Sequence, residues 1–361
     1  MSTRDLAKRV GVSATAISKY ERGTAYPRQS TLLRLARALS VKVEFFFRDV
    51  NVDTISPAYR KDSSLGKRAQ ESIEATIKEV LERRLAIEDV LPNSNARKHS
   101  IPVYDVKSPG EADEAAGSLR DAWDLGSDPL DDLTGRLENH GVVVVLVDDG
   151  PTGFDGFSCW VNESVPVVAV NSHIPGDRER FSLAHELGHL VMRVPEDINP
   201  EPLVHRFAAA LLVPRQAALA ELGTKRSNLS LNELLLLKQE YGISIQAWIR
   251  RARDLDIIDQ DVYSGMFRRL AQLGFRRQEP GEVKKEQPHY YELLVHQALS
   301  EGLITPSYAA SLLQEGKDTG FGESDQVDLS ATASQLLELY GSNPELTSFA
   351  DADLGPDDDD M

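Results

Sequence analysis

The sequence predicts a multidomain, mostly α-helical protein with a small α/β (α+β) centre. Its 361 residues, at about 150 residues per domain, correspond to two or three domains. Hydrophobic residues make up 41% of the chain, which is enough for ordinary cores and excludes a chain that is disordered throughout. Apolar spacings of three and four residues, typical of helices, recur along the chain, whereas an aliphatic run and two further short segments typical of strands follow one another near its middle.

The sequence also indicates in which cellular compartment the protein is found. No run of about 18 apolar residues is present, and the first residues lack the apolar core of a signal peptide. We therefore expect a cytoplasmic protein that does not enter a membrane. The single cysteine, Cys159, cannot form an internal disulfide and excludes a zinc module built from cysteines. We expect it to serve as a small apolar residue in a strand.

The charge is unevenly distributed along the chain. Residues 1–50 contain ten Lys and Arg against four Asp and Glu, a net charge of +6, whereas the whole chain carries −17, which leaves −23 on the remainder. A basic head on an acidic body indicates a small anion-binding domain joined to something else. Chance clustering on a solvated helical face is the alternative.

The basic head, residues 1–50, has the pattern of a helix-turn-helix unit. Gly11 suits the tight turn between two helices. Ser13 offers an N-cap for a second helix, 14–20, which Gly23 closes, and a further amphipathic helix follows. In such a unit the second helix enters the major groove. Its predicted DNA-facing residues are Ala14, Thr15, Ser18 and Lys19.

The segment from Leu6 to Ser13, with Ile17-Ser18 and Tyr20-Glu21-Arg22-Gly23 after it, resembles the XRE/Cro helix-turn-helix family. The resemblance implies binding to DNA. Members of that family have a helix before the position of Leu6, which this sequence lacks. We therefore expect either that the recorded start of the chain is late or that another part of the molecule covers the exposed apolar edge of the head.

Residues 51–114 are predicted to be a linker and a helix. Residues 51–65, with Pro57 and several serines, indicate a loop. A helix is predicted from Gly66 to Leu91, with an apolar stripe that Arg84 interrupts. The stripe could pair two copies of the chain as a short coiled coil, giving a homodimer, or pack on its own domain; the spacing favours neither. Residues 92–100 are predicted to be a polar linker.

The predicted α/β centre combines three strands and a long helix. A helix from Leu130 to Gly141 precedes the strands, and the long helix begins at Asp177, its predicted N-cap, and extends to Val191. The predicted strands are 142–147, 156–161 and 165–170, the last two joined by a turn at 162–164. We therefore expect a three-stranded sheet beside the long helix.

The long helix contains His185-Glu186-Leu187-Gly188-His189, the HExxH pattern. Residues four apart share a helix face, so both imidazoles can reach one Zn²⁺, and Glu186 can take a proton from water activated by that zinc. Gly188 leaves room for another element to approach closely. Such short patterns also occur by accident in surface helices. The apolar periodicity of this helix and the strands before it argue against that explanation.

A catalytic zinc needs a third protein ligand and an open fourth position. The downstream candidates are Glu196, Asp197, Glu201 and His205. Pro200 is suited to the start of a helix, and Glu201 and His205 would then share one face of it. The spacing does not choose between them.

The stretches 178–189 and 201–214 resemble the ImmA/IrrE metallopeptidase family, and the resemblance spans roughly residues 115–222. It implies a zincin-like peptidase core with Glu201 as the third metal ligand and His205 as a residue that contacts either a metal ligand or the substrate. Pro202 and Val204 depart from the family's second motif. The implied cofactor is Zn²⁺ or another divalent metal.

Members of this family typically cut or inactivate a repressor, which releases stress, phage or mobile-element genes. The resemblance thus implies a DNA-associated zinc metalloendopeptidase, with activity that can be latent, whose partners are DNA and a protein substrate, a repressor. A different class of function stays open. In that alternative the chain is a DNA-binding regulator or antitoxin whose zincin-like domain senses a ligand or binds a toxin without hydrolysis.

Residues 223–345 are predicted to be a helical region that packs on the peptidase core. Residues 229–258 indicate two helices joined at Gly242-Ile243-Ser244, with Ser244 as the cap of the second. Residues 275–289 indicate a loop, and 290–313 two more short helices. Residues 346–361 end in four aspartates before the last methionine and are predicted to be an acidic, disordered tail.

Overall fold

The computed structural model describes residues 3–39, 46, 55–57, 67–91, 101–148 and 153–317. The chain forms two compact units, residues 1–51 and 52–361. The predicted segments that lie wholly or partly outside the described residues are the end of the head 1–50, most of the loop 51–65, the linker 92–100, the end of the C-terminal helical region and the acidic tail 346–361.

The described part of the first unit is a helix-turn-helix followed by a third helix. The helices are α1 (Thr3–Val10), α2 (Ala14–Glu21) and α3 (Gln29–Leu39). Gly11 turns the chain between α1 and α2 with a φ of +72°, a conformation that glycine adopts without steric cost. The Ser13 hydroxyl accepts a hydrogen bond from the Ala16 amide at 3.1 Å and caps α2. Ile17 and Leu35 are buried in the core between these helices.

The second unit is mostly helical with a small sheet, as predicted. Its described strands are β1 (Ile55–Pro57), β2 (Tyr104–Asp105), β3 (Val143–Val147), β4 (Gly156–Val161), β5 (Val165–Asn171) and β6 (Met192–Arg193). Its first described helices are α4 (Lys67–Glu88), α5 (Pro109–Ala122), α6 (Leu133–Asn139), α7 (Gly176–Val191), α8 (Glu201–Leu212) and α9 (Arg215–Leu222). The remaining ones are α10 (Leu231–Tyr241), α11 (Ile245–Asp254), α12 (Gln260–Gln272), α13 (Tyr290–Ser300) and α14 (Pro306–Lys317).

The main sheet has four described strands in the order β1-β4-β5-β3. The three predicted strands are present, with β3 parallel and β4 antiparallel to β5. The fourth, β1, is a correction, because 51–65 was predicted to be a loop. Ile55 pairs with Val161 far along the chain, and a strand of three residues is too short to show a periodicity of two. β2 and β6 form a separate parallel pair.

Helices cover both faces of the main sheet. Successive residues of a strand point to opposite faces, so Val144 and Leu146 of β3 pack in one core with α5, α7 and α8, whereas Val143 and Val145 pack in the other with α4, α13 and α14. Cys159 is buried in this second core, as predicted, and burial raises the pKa of its thiol to about 12. Because both faces are covered, the α7 helix is fixed against β4 and β5.

The apolar stripe of α4 packs on its own unit, which is one of the two predicted alternatives. Ile77 and Val80 are fully buried against the sheet and α13. A coiled coil through this stripe would expose that core to water. Arg84 interrupts the stripe because it pairs with Glu88 at 2.8 Å and lies 4.5 Å above the Tyr290 ring.

The start of α7 differs slightly from the prediction. Pro175 occupies the N-cap position without a side-chain cap, and Asp177 lies in the first turn. The Asp177 carboxylate is engaged elsewhere, since it pairs with the buried Lys238 ammonium at 2.8 Å. A buried ammonium needs such a partner, and the tertiary contact therefore prevails over capping.

The helices around Gly242 follow the prediction. Gly242 ends α10 with a φ of +68°, and the Ser244 hydroxyl accepts from the Ala247 amide and caps α11. Trp248 of α11 is fully buried in the core shared with α7 and α8.

Within the described residues, no helix is both long enough and apolar enough to cross a bilayer.

Candidate metal centre

Helix α7 carries His185, Glu186 and His189 of the HExxH pattern on the flank that it does not fully bury. Leu183 and Leu187 are fully buried in the core, which fixes the rotation of the helix. The side chains of His185 and His189 lie one turn apart, with 15% and 8% of their surface exposed. Because they are four residues apart, their rings point to the same place. They leave one side of the site open to a residue from another helix.

Helix α8 supplies that residue. It begins at Glu201, directly after Pro200, with Pro202 in the first turn, where the missing amide hydrogen costs no helical hydrogen bond. The Asn199 side-chain oxygen accepts from the Glu201 amide at 3.2 Å. The departure at Pro202 is therefore compatible with the local fold, and Glu201 is held in the first helical turn.

Gly188 permits α7 and α8 to approach closely, as predicted. A Cβ at this position would lie 2.9 Å from Val204 Cγ1 and 3.0 Å from Phe207 Cδ1. Both distances are too short for carbon atoms in contact. The absence of a side chain at Gly188 thus brings the N-terminal turn of α8 within reach of the two imidazoles.

Three ligand atoms converge at the contact between these helices. The Nε2 atoms of His185 and His189 are 3.2 Å apart, and each is 3.4 Å from one carboxylate oxygen of Glu201. Ligands about 2.05 Å from a tetrahedral zinc are separated by about 3.3 Å. The three observed separations match three edges of such a tetrahedron. Among the described residues, this trio forms the group that could hold a metal ion.

Without a cation, hydrogen bonds between these neutral rings and Glu201 leave at least one unfavourable contact in the triangle. A neutral imidazole carries a proton on only one of its nitrogens. If both Nε2 atoms donated to Glu201, two N–H groups would face each other across 3.2 Å. If either lacked its proton, its lone pair would face the carboxylate. A shared cation satisfies all three atoms at once.

The electrostatics favour an ionised carboxylate at the site. Hydrogen bonding with His185, and then with His189, holds the pKa of Glu201 well below its usual range, while partial burial opposes this. The Glu201 side chain is 43% exposed, more than either ring. The centre therefore opens to solvent on the Glu201 side, and it presents an anionic ligand to a cation.

His205 lies beside the trio without joining it. Its ring centroid is 4.7 Å from that of His185 and 5.7 Å from that of Phe181. Burial, and then the neighbouring His185, lower the pKa of His205. The structure thus brings Glu201 rather than His205 to the two imidazoles. Glu196 and Asp197 are exposed and lie outside the trio.

Glu186 faces the strand β4. Its Oε2 accepts a hydrogen bond from the Ser158 hydroxyl at 2.7 Å. A Cβ at Gly156 would lie 2.8 Å from Glu186 Cγ, so the carboxylate fits beside β4 because that residue is glycine. Neither Ser158 nor Gly156 belongs to a motif of the sequence that indicates a functional role. The feature of the sequence that could have indicated them is their position two residues apart in the predicted strand 156–161. A glycine and a small polar residue there share the face that meets α7.

The candidate DNA interface is a separate surface on the first unit. Thr15 and Lys19 are exposed one turn apart on α2, and Ala14 and Ser18 are partly exposed beside them. All described Lys and Arg residues of this unit are exposed, namely Arg4, Lys8, Arg9, Lys19, Arg22, Arg28, Arg34 and Arg37. The predicted contact residues therefore reach solvent on α2, in a unit whose described basic side chains are all exposed.

The close contact at Gly188 gives a testable prediction. Gly188→Ala is expected to lower the free energy of unfolding by about 1–3 kcal/mol, as overpacking does, and to weaken zinc binding because α8 must move away. Urea unfolding and competition with a zinc chelator measure the two effects. The control is Gly117→Ala in α5, where a Cβ meets nothing within 4 Å; it should be neutral or stabilise by up to about 1 kcal/mol. Equal behaviour of the two variants would contradict the packing described above.

Comparisons with known proteins agree with both resemblances. Residues 137–253 match the M78 peptidase family model, described as IrrE N-terminal-like domain, and residues 1–46 match the helix-turn-helix family model. The first match contains the trio and continues past the predicted core limit at 222. A curated protein of Rhodospirillum rubrum, named as an uncharacterized transcriptional regulator in the ATPase CF(0) region, is 47% identical over 45 residues, which are 12% of this chain and 42% of that protein. The chain thus spans less than half of that relative.

Proposed function

We propose that this chain is a DNA-associated zinc endopeptidase that hydrolyses a protein substrate, of which a transcriptional repressor is the expected class. The observation that carries the proposal is the convergence of His185, His189 and Glu201 from two helices, with Glu186 beside them on α7. The IrrE N-terminal-like match supports the peptidase, and the helix-turn-helix match supports attachment to DNA. The curated relative is named a transcriptional regulator, which agrees with a role in controlling transcription.

Zinc is the cation that this set of residues fits best. Two imidazole nitrogens and one carboxylate are a ligand set of catalytic zinc sites, which keep a fourth position for water or substrate. When bound, zinc supplies a Lewis acid that lowers the pKa of water toward about 7 and polarises a peptide carbonyl. Because Glu201 is the most exposed of the three residues, substrate enters from its side.

Glu186 acts as the general base in this proposal. The hydroxyl of Ser158 holds Oε2, which fixes the orientation of the carboxylate and leaves Oε1 to take a proton from the attacking water. The same carboxyl group then gives this proton to the amide nitrogen that leaves. His205 lies beside His185, and in this proposal it hydrogen-bonds to the substrate.

The test combines metal stoichiometry with hydrolysis. The full chain is stripped with a chelator, titrated with zinc and incubated with an unfolded protein or a purified repressor. We expect about one zinc per chain and cleavage only in the loaded protein. The competing function, a regulator or antitoxin whose domain binds a ligand or a toxin, predicts partner binding with no cleavage by the loaded protein. That result would refute the peptidase proposal.

The DNA-binding half is tested separately. Lys19→Ala on α2 is expected to weaken binding to duplex DNA for all sequences and to reduce the slope of log affinity against log salt by about one, because one phosphate contact is lost. Arg37→Ala removes the same charge from the exposed surface of α3 and is the matched control, with a smaller expected effect. Affinity measured by fluorescence anisotropy over a salt series checks this. An unchanged slope for Lys19→Ala would exclude α2 as the contact.

A further inference from the structure

Helix α12 and the turn after it form a basic surface on the second unit. Residues 262–278 contain four arginines and no aspartate or glutamate, although acidic residues outnumber basic ones in the chain beyond residue 50. All four arginines are exposed, namely Arg268, Arg269, Arg276 and Arg277. A cluster of one sign attracts partners of the opposite sign. This surface therefore attracts anionic partners, which the net charge of the chain repels.

The acidic residues on either side of this segment do not neutralise it. Glu279 is engaged elsewhere, since it accepts hydrogen bonds from two amides in the first turn of α11 and pairs with the buried Lys238 at 3.2 Å. Asp261 lies in the first turn of α12, about 10 Å along the helix axis from Arg268 at 1.5 Å per residue. The arginines therefore keep their charge for a partner.

A line of contacts joins this surface to α11. The Arg276 guanidinium lies 5.9 Å from the centre of the Phe267 ring, and the rings of Phe267 and Tyr263, one turn apart on α12, are 4.7 Å apart. The Tyr263 hydroxyl accepts a hydrogen bond from Arg250 Nη1 at 3.4 Å. Both rings are partly exposed and both arginines are exposed. We call these four residues the basic stripe.

The Arg250 end of the basic stripe lies beside the metal centre. Asp254 pairs with Arg250 at 3.7 Å and with Arg206 of α8 at 3.3 Å, and Arg206 directly follows His205 in the chain. After burial and His185, the charge of Arg250 contributes to lowering the pKa of His205. A substrate held at the metal on its His205 side is therefore next to the basic stripe.

We propose that the basic stripe is an exosite, a substrate-binding surface outside the metal centre, that holds an acidic segment of the protein substrate. The inference rests on the proposed function and adds the class of substrate to it. Its support is charge complementarity together with the position of the stripe beside the trio. Arginine forks bind carboxylates with two parallel hydrogen bonds. The two rings between the arginines pack against apolar parts of the same segment.

A polypeptide fits the basic stripe better than duplex DNA does. The stripe begins beside a site that is proposed to act on peptide bonds, whereas the helix-turn-helix match lies in the first unit. The rings of Tyr263 and Phe267 stand between its two arginines. Most contacts that a duplex offers to such a surface are phosphates and sugars, which do not use two aromatic rings. An acidic segment with apolar side chains uses both parts.

The first experiment compares peptides on the zinc-loaded full chain. Each contains the same cleavable segment of an unfolded protein, flanked by a run of glutamates or of serines. We expect kcat/KM to be about tenfold higher with glutamates at low salt and the difference to shrink as salt is added. The difference should lie in KM, because the exosite binds ground state and transition state equally. Equal kcat/KM for the two peptides would overturn the proposal.

Charge reversal at the far end of the basic stripe separates the exosite from the metal centre. Arg276→Glu should raise KM for the glutamate peptide about fivefold with full zinc stoichiometry, because Arg276 contacts Phe267 and lies outside the trio. Arg215→Glu is the matched control. It makes the same change of net charge at an exposed residue of α9, which follows the end of α8 remote from Glu201. Equal KM values for the two variants would count against the basic stripe.

A binding measurement without cleavage distinguishes this inference from the proposed function. Fluorescence anisotropy follows labelled peptides on Glu186→Gln full chain, where Arg276→Glu should weaken binding of the glutamate peptide about fivefold. If both peptides bind equally while the unchanged chain cleaves added protein, this inference fails and the proposed function stands. If nothing is cleaved but Arg276→Glu weakens binding, the proposed function fails and binding of acidic segments stands.

Duplex DNA is the competing occupant, and the same variants test it. On the proposal, Arg276→Glu changes the affinity for duplex DNA no more than Arg215→Glu does. A loss of DNA affinity at Arg276→Glu, with the affinity for the glutamate peptide unchanged, would assign the basic stripe to DNA and refute the exosite.

Discussion

Glu186→Gln is expected to slow peptide hydrolysis strongly and to leave zinc binding intact. Glutamine keeps the size of the side chain and can still accept a hydrogen bond from Ser158, but it cannot take a proton from water. General base catalysis contributes about a hundredfold to ten-thousandfold, so kcat should fall by at least about a hundredfold. The change does not touch His185, His189 or Glu201, which form the metal trio.

The measurement pairs initial rates on a protein substrate with zinc stoichiometry on the same samples. Glu196→Gln is the matched control, because Glu196 is an exposed glutamate shortly after α7 and outside the trio. It should retain full activity and full zinc. A Glu186→Gln variant that still hydrolyses at the original rate would remove the general base from the mechanism. Loss of zinc from that variant would show instead that Glu186 supports the ligands.

The sequence predicts those parts of the fold that local patterns determine. The continuous aliphatic run of β3 and the apolar periodicity of α7 locate the sheet and the helix, and Ser13 and Ser244 cap the helices predicted for them. The strand β1 is different. Its three residues have no pattern of their own, and β1 forms only because Val161, far along the chain, offers a partner.

A pattern shows which face of an element is buried but not what covers it. The stripe of α4 fitted a second copy of the chain as well as its own sheet, and only the tertiary packing of Ile77 against the sheet decides between them. Likewise, no spacing predicts that Ser158 donates to Glu186. The two residues are brought together by the packing of β4 on α7.

The sequence pattern also could not decide whether Glu201 or His205 is the third metal ligand. Both lie on one face of α8 because they are four residues apart. Their spacing therefore makes both of them candidates for the third metal ligand. The decisive quantity is where the first turn of α8 sits relative to α7. The missing side chain of Gly188 sets that position, since Val204 and Phe207 pack against it.

Glu201→Gln is therefore expected to lower the zinc affinity far more than a change at His205 does. The neutral amide removes the anionic ligand whose oxygens lie 3.4 Å from both imidazole nitrogens. Changes to groups that only support a ligand cost about 10- to 100-fold in metal affinity. Removing a ligand should exceed that range, and hydrolysis should disappear at zinc concentrations that saturate the unchanged protein.

His205→Asn is the informative comparison, because it alters a residue of the same helix face whose ring lies beside His185 without joining the trio. Zinc affinity should then stay within about tenfold, while hydrolysis slows through the lost substrate contact. Competition with a chromophoric chelator gives both affinities. If His205→Asn released zinc and Glu201→Gln retained it, α8 would present His205 to the metal in solution, and the first turn would have to rotate from the position described. With affinity lost at Glu201 alone, the third ligand is the carboxylate, and His205 acts on the substrate.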